Sequence, residues 1–245
     1  MDIDTAVIVT LVFFLAANLV QGFTGFGVGI VAVVGLSLIG EVVHATVLTN
    51  LGSLVSVSLV FGRLWRHASW RHLWPVFVGL TACIPVGLMF LRAFGPTHPD
   101  LVRRVLGFVV VAFSVWSLWG RSPTPQKMRW YVGLAAGMLG GILGGAFTIG
   151  GPPMVAYIYS LPVSRDAMKA SINACFILGS TFRLVLVIAA GDVTGPVLAE
   201  FAWCLPAILL GVVVGMILAR GVSTERFRRI AWYAFGVLGL LLMAR

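Results

Sequence analysis

Charge is what this sequence has least of. Of its 245 residues only 10% are charged, and eight acidic residues stand against seventeen basic ones. A soluble domain carries about a quarter charged residues, so a water-exposed globular body is excluded. The three cysteines, Cys83, Cys175 and Cys204, lie isolated in apolar stretches with no CxxC pair, which argues against a thiol relay or an iron–sulfur centre. The four histidines, His44, His67, His72 and His98, have no metal-ligand spacing and read as polar residues near loops. There is no P-loop, so ATP-driven pumping would require a partner subunit. No Ser/His/Asp or HExxH arrangement exists to suggest an enzyme, and nothing calls for a cofactor. Glu41, Asp166, Asp192 and Glu200 all fall near segment ends. No buried proton-relay carboxylate is therefore visible, and coupling to sodium or protons is not assigned.

Apolar sequence dominates, with 60% hydrophobic residues and a mean hydropathy of +1.04. Ten hydrophobic segments are expected, over about 6–21, 28–40, 45–62, 73–91, 104–119, 131–145, 152–161, 168–190, 197–219 and 230–243. The short alternating segments of a β-barrel are missing, so the fold class is an all-α polytopic membrane protein. Met1-Asp2-Ile3-Asp4 lacks the basic start of a signal peptide, and the first apolar segment is expected to be retained. The polar stretch from Gly120 to Arg129, with Pro123 and Pro125, divides the chain into a first membrane repeat (1–120), a linker (121–130) and a second repeat (131–245).

Two stretches in the two halves resemble each other. Gln21-Gly22-Phe23-Thr24-Gly25-Phe26-Gly27 is answered by Gly145-Ala146-Phe147-Thr148-Ile149-Gly150-Gly151 and then Pro152-Pro153. Ala45-Thr46 with Asn50 is answered by Ala170-Ser171 with Asn173. The segment after each glycine-rich break is short: 28–40 supplies about 20 Å of helix and 152–161 about 15 Å, against roughly 30 Å of hydrocarbon. Short, broken segments at matching places predict discontinuous or re-entrant helices around a central transport site. Five segments per half is an odd number, so the second copy inserts upside down relative to the first, as an inverted repeat.

The net charge of +9 does not signal nucleic acid, because the basic residues sit in short loops where they orient helices. With both termini outside, twelve basic residues face inward: Arg63, Arg66, Arg71, Arg121, Lys127, Arg129, Arg165, Lys169, Arg220, Arg226, Arg228 and Arg229. Four face outward: Arg92, Arg103, Arg104 and Arg245. Trp65, Trp70, Trp74, Trp116, Trp119 and Trp130 flank the basic loops as interfacial anchors.

The candidate substrate-binding residues are Gln21, Thr24, Gly25, Gly27, Asn50, Thr148, Gly150, Gly151, Asn173 and Arg183. Glycines at the breaks permit a turn, and a helix starting there presents free N–H groups and a positive dipole end, which suits an oxyanion. The alternative is that they allow close helix packing, the reading preferred for Gly133, Gly137, Gly141 and Gly145. The hydroxyls of Thr24 and Thr148 could donate to a ligand or cap the next helix. Asn50 and Asn173 could contact a ligand or hydrogen-bond between helices. Arg183 is the one deeply embedded cation. It could balance an anion or reach outward to the interface about 10 Å away.

At Gly22-Phe23-Thr24-Gly25-Phe26-Gly27, at Gly144 to Pro153, and at Leu161-Pro162 followed by Ala170-Ser171, the chain resembles the sulfite exporter TauE/SafE family of membrane permeases. One departure stands out: Val28-Gly29 takes the place of Pro152-Pro153 in the first copy. The resemblance implies export of sulfite, sulfoacetate or a related sulfonate across the bacterial inner (plasma) membrane, where the twelve-to-four balance of basic residues places both termini on the periplasmic side. The residues alone reach a small-molecule anion, a central site and a lipid-embedded chain. A carboxylate carrier, a non-transporting scaffold and a homo-oligomer all remain open at this point.

Overall fold

The computed structural model describes residues 3–119, 129–219 and 224–244. They form ten α-helices: α1 (Ile3–Thr24), α2 (Val28–Ser37), α3 (Val42–Leu64), α4 (Trp70–Phe94), α5 (Pro99–Trp119), α6 (Trp130–Phe147), α7 (Gly151–Tyr159), α8 (Arg165–Ala189), α9 (Gly195–Leu218) and α10 (Thr224–Ala244). A 3-10 turn, Trp65–His67, links α3 to α4. No strand occurs among the described residues. Each expected segment corresponds to one helix, with ends displaced by a few residues. The linker expected over 121–130 lies outside the described residues except for Arg129 and Trp130.

Seven helices, α1, α3, α4, α5, α6, α8 and α9, are long and apolar enough to cross a membrane, so the protein is a multi-pass membrane protein. Their outward faces carry large apolar side chains such as Met89, Phe108, Trp203 and Leu210, the surface a helix presents to lipid. Trp65, Trp70, Trp74, Trp116, Trp119 and Trp130 are all exposed near helix ends, where an amphipathic ring settles at the headgroup level.

The helices pack in four pairs that each join the two halves: α1 with α9, α4 with α6, α3 with α8, and α5 with α10. Glycine sets the first two. Gly137, Gly141 and Gly145 of α6 lie on the backbone of Val76, Leu80 and Ile84 in α4, so close that an added Cβ would collide with a carbonyl oxygen. Gly211 and Gly215 of α9 lie likewise on Leu15 and Leu19 of α1. In both pairs the residue numbers rise together, so the helices run parallel. With little hydrophobic drive between helices in lipid, such close backbone approach supplies the packing. Gly133 is different, because it faces the Tyr157 ring.

At one end of the bundle Arg92 donates to Ala190 O and Asp192 at 3.0 Å, Arg103 donates to Gly40 O at 3.2 Å, and His44 meets Glu200 at 2.7 Å. At the opposite end Ser69 N–H donates to Ser171 Oγ at 3.1 Å. There Ser164 caps α8 by accepting from Ala167 N–H.

Candidate functional site

The two glycine-rich breaks meet. The second residue of α2, Gly29, lies against the carbonyl of Thr148 with no room for a Cβ. The depth of this meeting point follows from helical rise. From its break α2 runs 10 residues toward the end carrying Gly40, about 15 Å. From the other break α7 runs 9 residues to the opposite end, about 14 Å. Placed end to end, these half-helices cover about the 30 Å of a hydrocarbon core, so the junction falls near its middle. Both N-termini, with their positive dipole ends, converge there.

The local sequence turns the chain differently at each break. In the first, Gly25 and Gly27 take φ of 87° and 107°, a region that glycine occupies without steric cost. Thr24 therefore stays helical. Its hydroxyl folds onto its own turn, lying 2.8 Å from Val20 O and 2.6 Å from Phe26 O and accepting from Phe26 N–H at 3.2 Å. In the second break Ile149 stands where the first has Gly25. The left-handed conformation falls instead on Thr148, at φ 59°, a strained position for a β-branched residue. Its hydroxyl donates to Thr46 O at 3.3 Å. Pro152 and Pro153 then remove two N–H groups from the first turn of α7, leaving Gly150 and Gly151 as its local donors.

Around the breaks the polar candidates sort into two clusters. In the first, Gln21 Nε2 donates to Gly25 O at 3.1 Å and to Asn173 Oδ1 at 3.4 Å, while its Oε1 accepts from Val28 N–H at 3.4 Å. Asn173 Nδ2 donates to Gly25 O at 3.3 Å and to Lys169 O at 2.8 Å. In the second, Arg183 Nε donates to Gly145 O at 2.9 Å, and Nη1 donates to Asn50 Oδ1 at 3.1 Å and Thr46 O at 3.4 Å. Asn50 Nδ2 donates to Ser180 O at 3.1 Å. Asn50 and Asn173 are the ninth residues of α3 and α8. Each is tied to a carbonyl at a break, Asn50 through Arg183 and Asn173 both directly and through Gln21.

Arg183 points inward and is 2% exposed, with no carboxylate among its partners. Its Nη2 is buried without a hydrogen-bond partner. It lines a cavity of about 30 Å³ with Gly144, Thr148, Gly150, Cys175 and Ser180. A second cavity of about 30 Å³ adjoins it through Thr148, Phe176 and Ser180, and is walled by Gln21, Gly27, Gly29, Ser53, Val57 and Gly151. Each holds about one water's share of liquid volume. Of the sequence candidates, Gln21, Gly27, Thr148, Gly150, Gly151 and Arg183 line these spaces, while Thr24, Gly25, Asn50 and Asn173 stand behind them.

Ser53, Ser180 and Phe176 went unread in the sequence. Ser53 Oγ and Ser180 Oγ lie 3.3 Å apart, and the signal available was their place three residues from Asn50 in α3 and from Arg183 in α8. Thr46, read only as part of a repeat, supplies the carbonyl shared by Thr148 and Arg183.

Residues 9–242 match the sulfite exporter TauE/SafE family. The chain belongs to that family. It is also 24% identical over 225 residues to the probable sulfite/organosulfonate exporter TauE of Cupriavidus necator, covering 91% of this chain and 87% of the relative. No solved structure gave a significant match. At the family level, then, this TauE/SafE protein is a membrane transporter of sulfur anions and not an enzyme.

Proposed function

We propose that the protein is a secondary carrier that exports a small organosulfur or sulfur oxyanion, such as sulfite, sulfoacetate or a related sulfonate, by alternating access. The observation that carries this reading is Arg183: a cation buried at the junction of the two breaks, paired with neutral oxygens only, with one nitrogen left without a hydrogen-bond partner and its side chain lining a cavity. A buried charge without a counter-ion is costly, and an anion entering beside it would offset that cost. Thr148, Gly150 and Gly151 add neutral donors, and two helix N-termini add dipole. Asn50 orients Arg183. Gln21, Thr24, Gly25, Gly27 and Asn173 shape the matching half of the site.

Two inverted repeats, 1–120 and 131–245, are the architecture this mechanism needs. The reading is supported by the reciprocal pairing, in which first meets fourth, fourth meets first, third meets third and fifth meets fifth. Cavities this small admit no sulfonate in the present conformation, so substrate entry requires the repeats to rock apart. Placed in the bacterial inner membrane with its termini periplasmic, the carrier would gain about 2.3 kcal/mol per charge per 100 mV from an anion leaving the cell. Flux into liposomes with sulfite, sulfoacetate and acetate tests the reading. Selective uptake of the sulfur anions is expected. Acetate flux equal to that of the sulfur anions would make it a general small-anion carrier, acetate flux alone a carboxylate carrier, and no flux would remove the transport assignment.

A further inference from the structure

We infer that Phe176 sets the length of substrate the carrier accepts, an inference that rests on the proposed anion site and assigns the residue that gauges its chamber. The two central cavities have separate walls except at Thr148, Phe176 and Ser180, which line both. These three residues therefore form the partition between them. Thr148 is fixed there by its left-handed backbone and by its hydroxyl on Thr46 O. Ser180 is fixed by its carbonyl, which accepts from Asn50 Nδ2 at 3.1 Å, and its hydroxyl lies 3.3 Å from Ser53 Oγ. Phe176 contributes only a ring. Its tip reaches Gly151, where an added Cβ would lie 3.1 Å from Cζ, so the residue facing it has no side chain to brace it. Phe176 is only half-buried although it lines the central cavities.

The two compartments differ in character. One is walled by Arg183 together with Gly144, Gly150 and Cys175. The other mixes Gln21 and Ser53 with the apolar Phe26, Val28, Ile30 and Val57. A guest with an anionic head and a short tail matches that division, with its head on the Arg183 side and its tail directed past Phe176. The ring stands at the crossing and limits how far a tail can extend. Truncation to alanine removes the ring and leaves the ties of Thr148 and Ser180 intact. Each methylene of a tail that then finds cover from water adds up to about fourfold in affinity.

The test compares full-length wild type, Phe176→Ala and Phe176→Leu in lipid nanodiscs, with binding measured calorimetrically against empty nanodiscs. The probes are ethanesulfonate and butanesulfonate, which share a head and differ in tail. In wild type, butanesulfonate is expected to bind no more tightly than ethanesulfonate. Relative to ethanesulfonate, butanesulfonate is expected to gain about tenfold in Phe176→Ala and about threefold in Phe176→Leu. The ratio isolates tail length, because a merely structural role for Phe176 would weaken both probes alike. An unchanged ratio in the two variants overturns the inference, as does a wild type that already prefers butanesulfonate about tenfold. If Phe176→Ala does not melt cooperatively, Phe176→Leu decides alone. The underlying anion site fails separately. If neither probe binds wild type, or if binding is unchanged in Arg183→Gln, both readings fall. If binding depends on Arg183 but the ratio ignores Phe176, only the length gauge falls.

Discussion

Adding one methyl group at Gly29 tests whether the two breaks must touch. Gly29 is buried at the second position of α2, and a Cβ there would collide with the carbonyl oxygen of Thr148. Ordinary carbon contacts lie at about 3.5–4.0 Å, so the two breaks would have to separate by about 1 Å. The obstructing atom is backbone, held by the left-handed turn at Thr148, and no side-chain rotation relieves the overlap. Overpacking of this kind costs about 1–3 kcal/mol. Alanine's better helix propensity returns about 1 kcal/mol, so Gly29→Ala should be destabilised by up to about 2 kcal/mol. Gly62, in α3, is the internal control, because nothing lies within 4 Å of its added Cβ. Gly62→Ala gains the same propensity without the collision and should be neutral or up to about 1 kcal/mol more stable. Melting in detergent and sulfite flux in liposomes read both consequences. Gly29→Ala should lose on both measures and Gly62→Ala on neither. Wild-type melting and flux in Gly29→Ala would refute the idea that contact between the breaks builds the site.

The two threonines should separate despite their matching places in sequence. Thr148→Gly relieves a left-handed residue, so stability should hold or rise by up to about 1 kcal/mol, while flux falls with loss of the hydroxyl; full flux would remove Thr148 from the site. Thr24→Val breaks a local turn, and a melting loss of about 1 kcal/mol with flux largely kept is expected; the opposite pattern would give Thr24 a direct ligand role. Gln21→Leu strips partners from Gly25 O, Val28 N–H and Asn173, for which a stability loss of about 1–3 kcal/mol is expected by chemical or thermal unfolding. An unchanged transition would mean this amide network is idle.

Much of the architecture could be read directly from the residues, because lipid imposes simple rules. Long apolar runs became helices, and the two runs too short to span became α2 and α7. The glycines of α6 spaced by four packed against α4 at Gly137, Gly141 and Gly145. Arg183 was identifiable as the embedded cation, but its direction was not. Helical rise allowed either an outward reach or an inward one, and the inward one prevails because Gly145 O, Thr46 O and Asn50 Oδ1 offer three acceptors there. The difference between Thr24 and Thr148 was also hidden. It depends on whether glycine or isoleucine follows, since that decides which residue takes the left-handed turn. Ser53 and Ser180 escaped notice because their pairing joins helices far apart in sequence.

The most direct test of the account is anion affinity in Arg183→Gln, measured on purified protein beside wild type with methanesulfonate as the probe. The substitution keeps a polar side chain but removes the buried charge of Arg183, and a charge-assisted contact worth about 1.5–3 kcal/mol corresponds to a loss of roughly ten- to more than a hundredfold. A loss of that size in a variant that still melts cooperatively is the expected result. Wild-type affinity in the variant would contradict the claim that an anion is held at mid-membrane by Arg183.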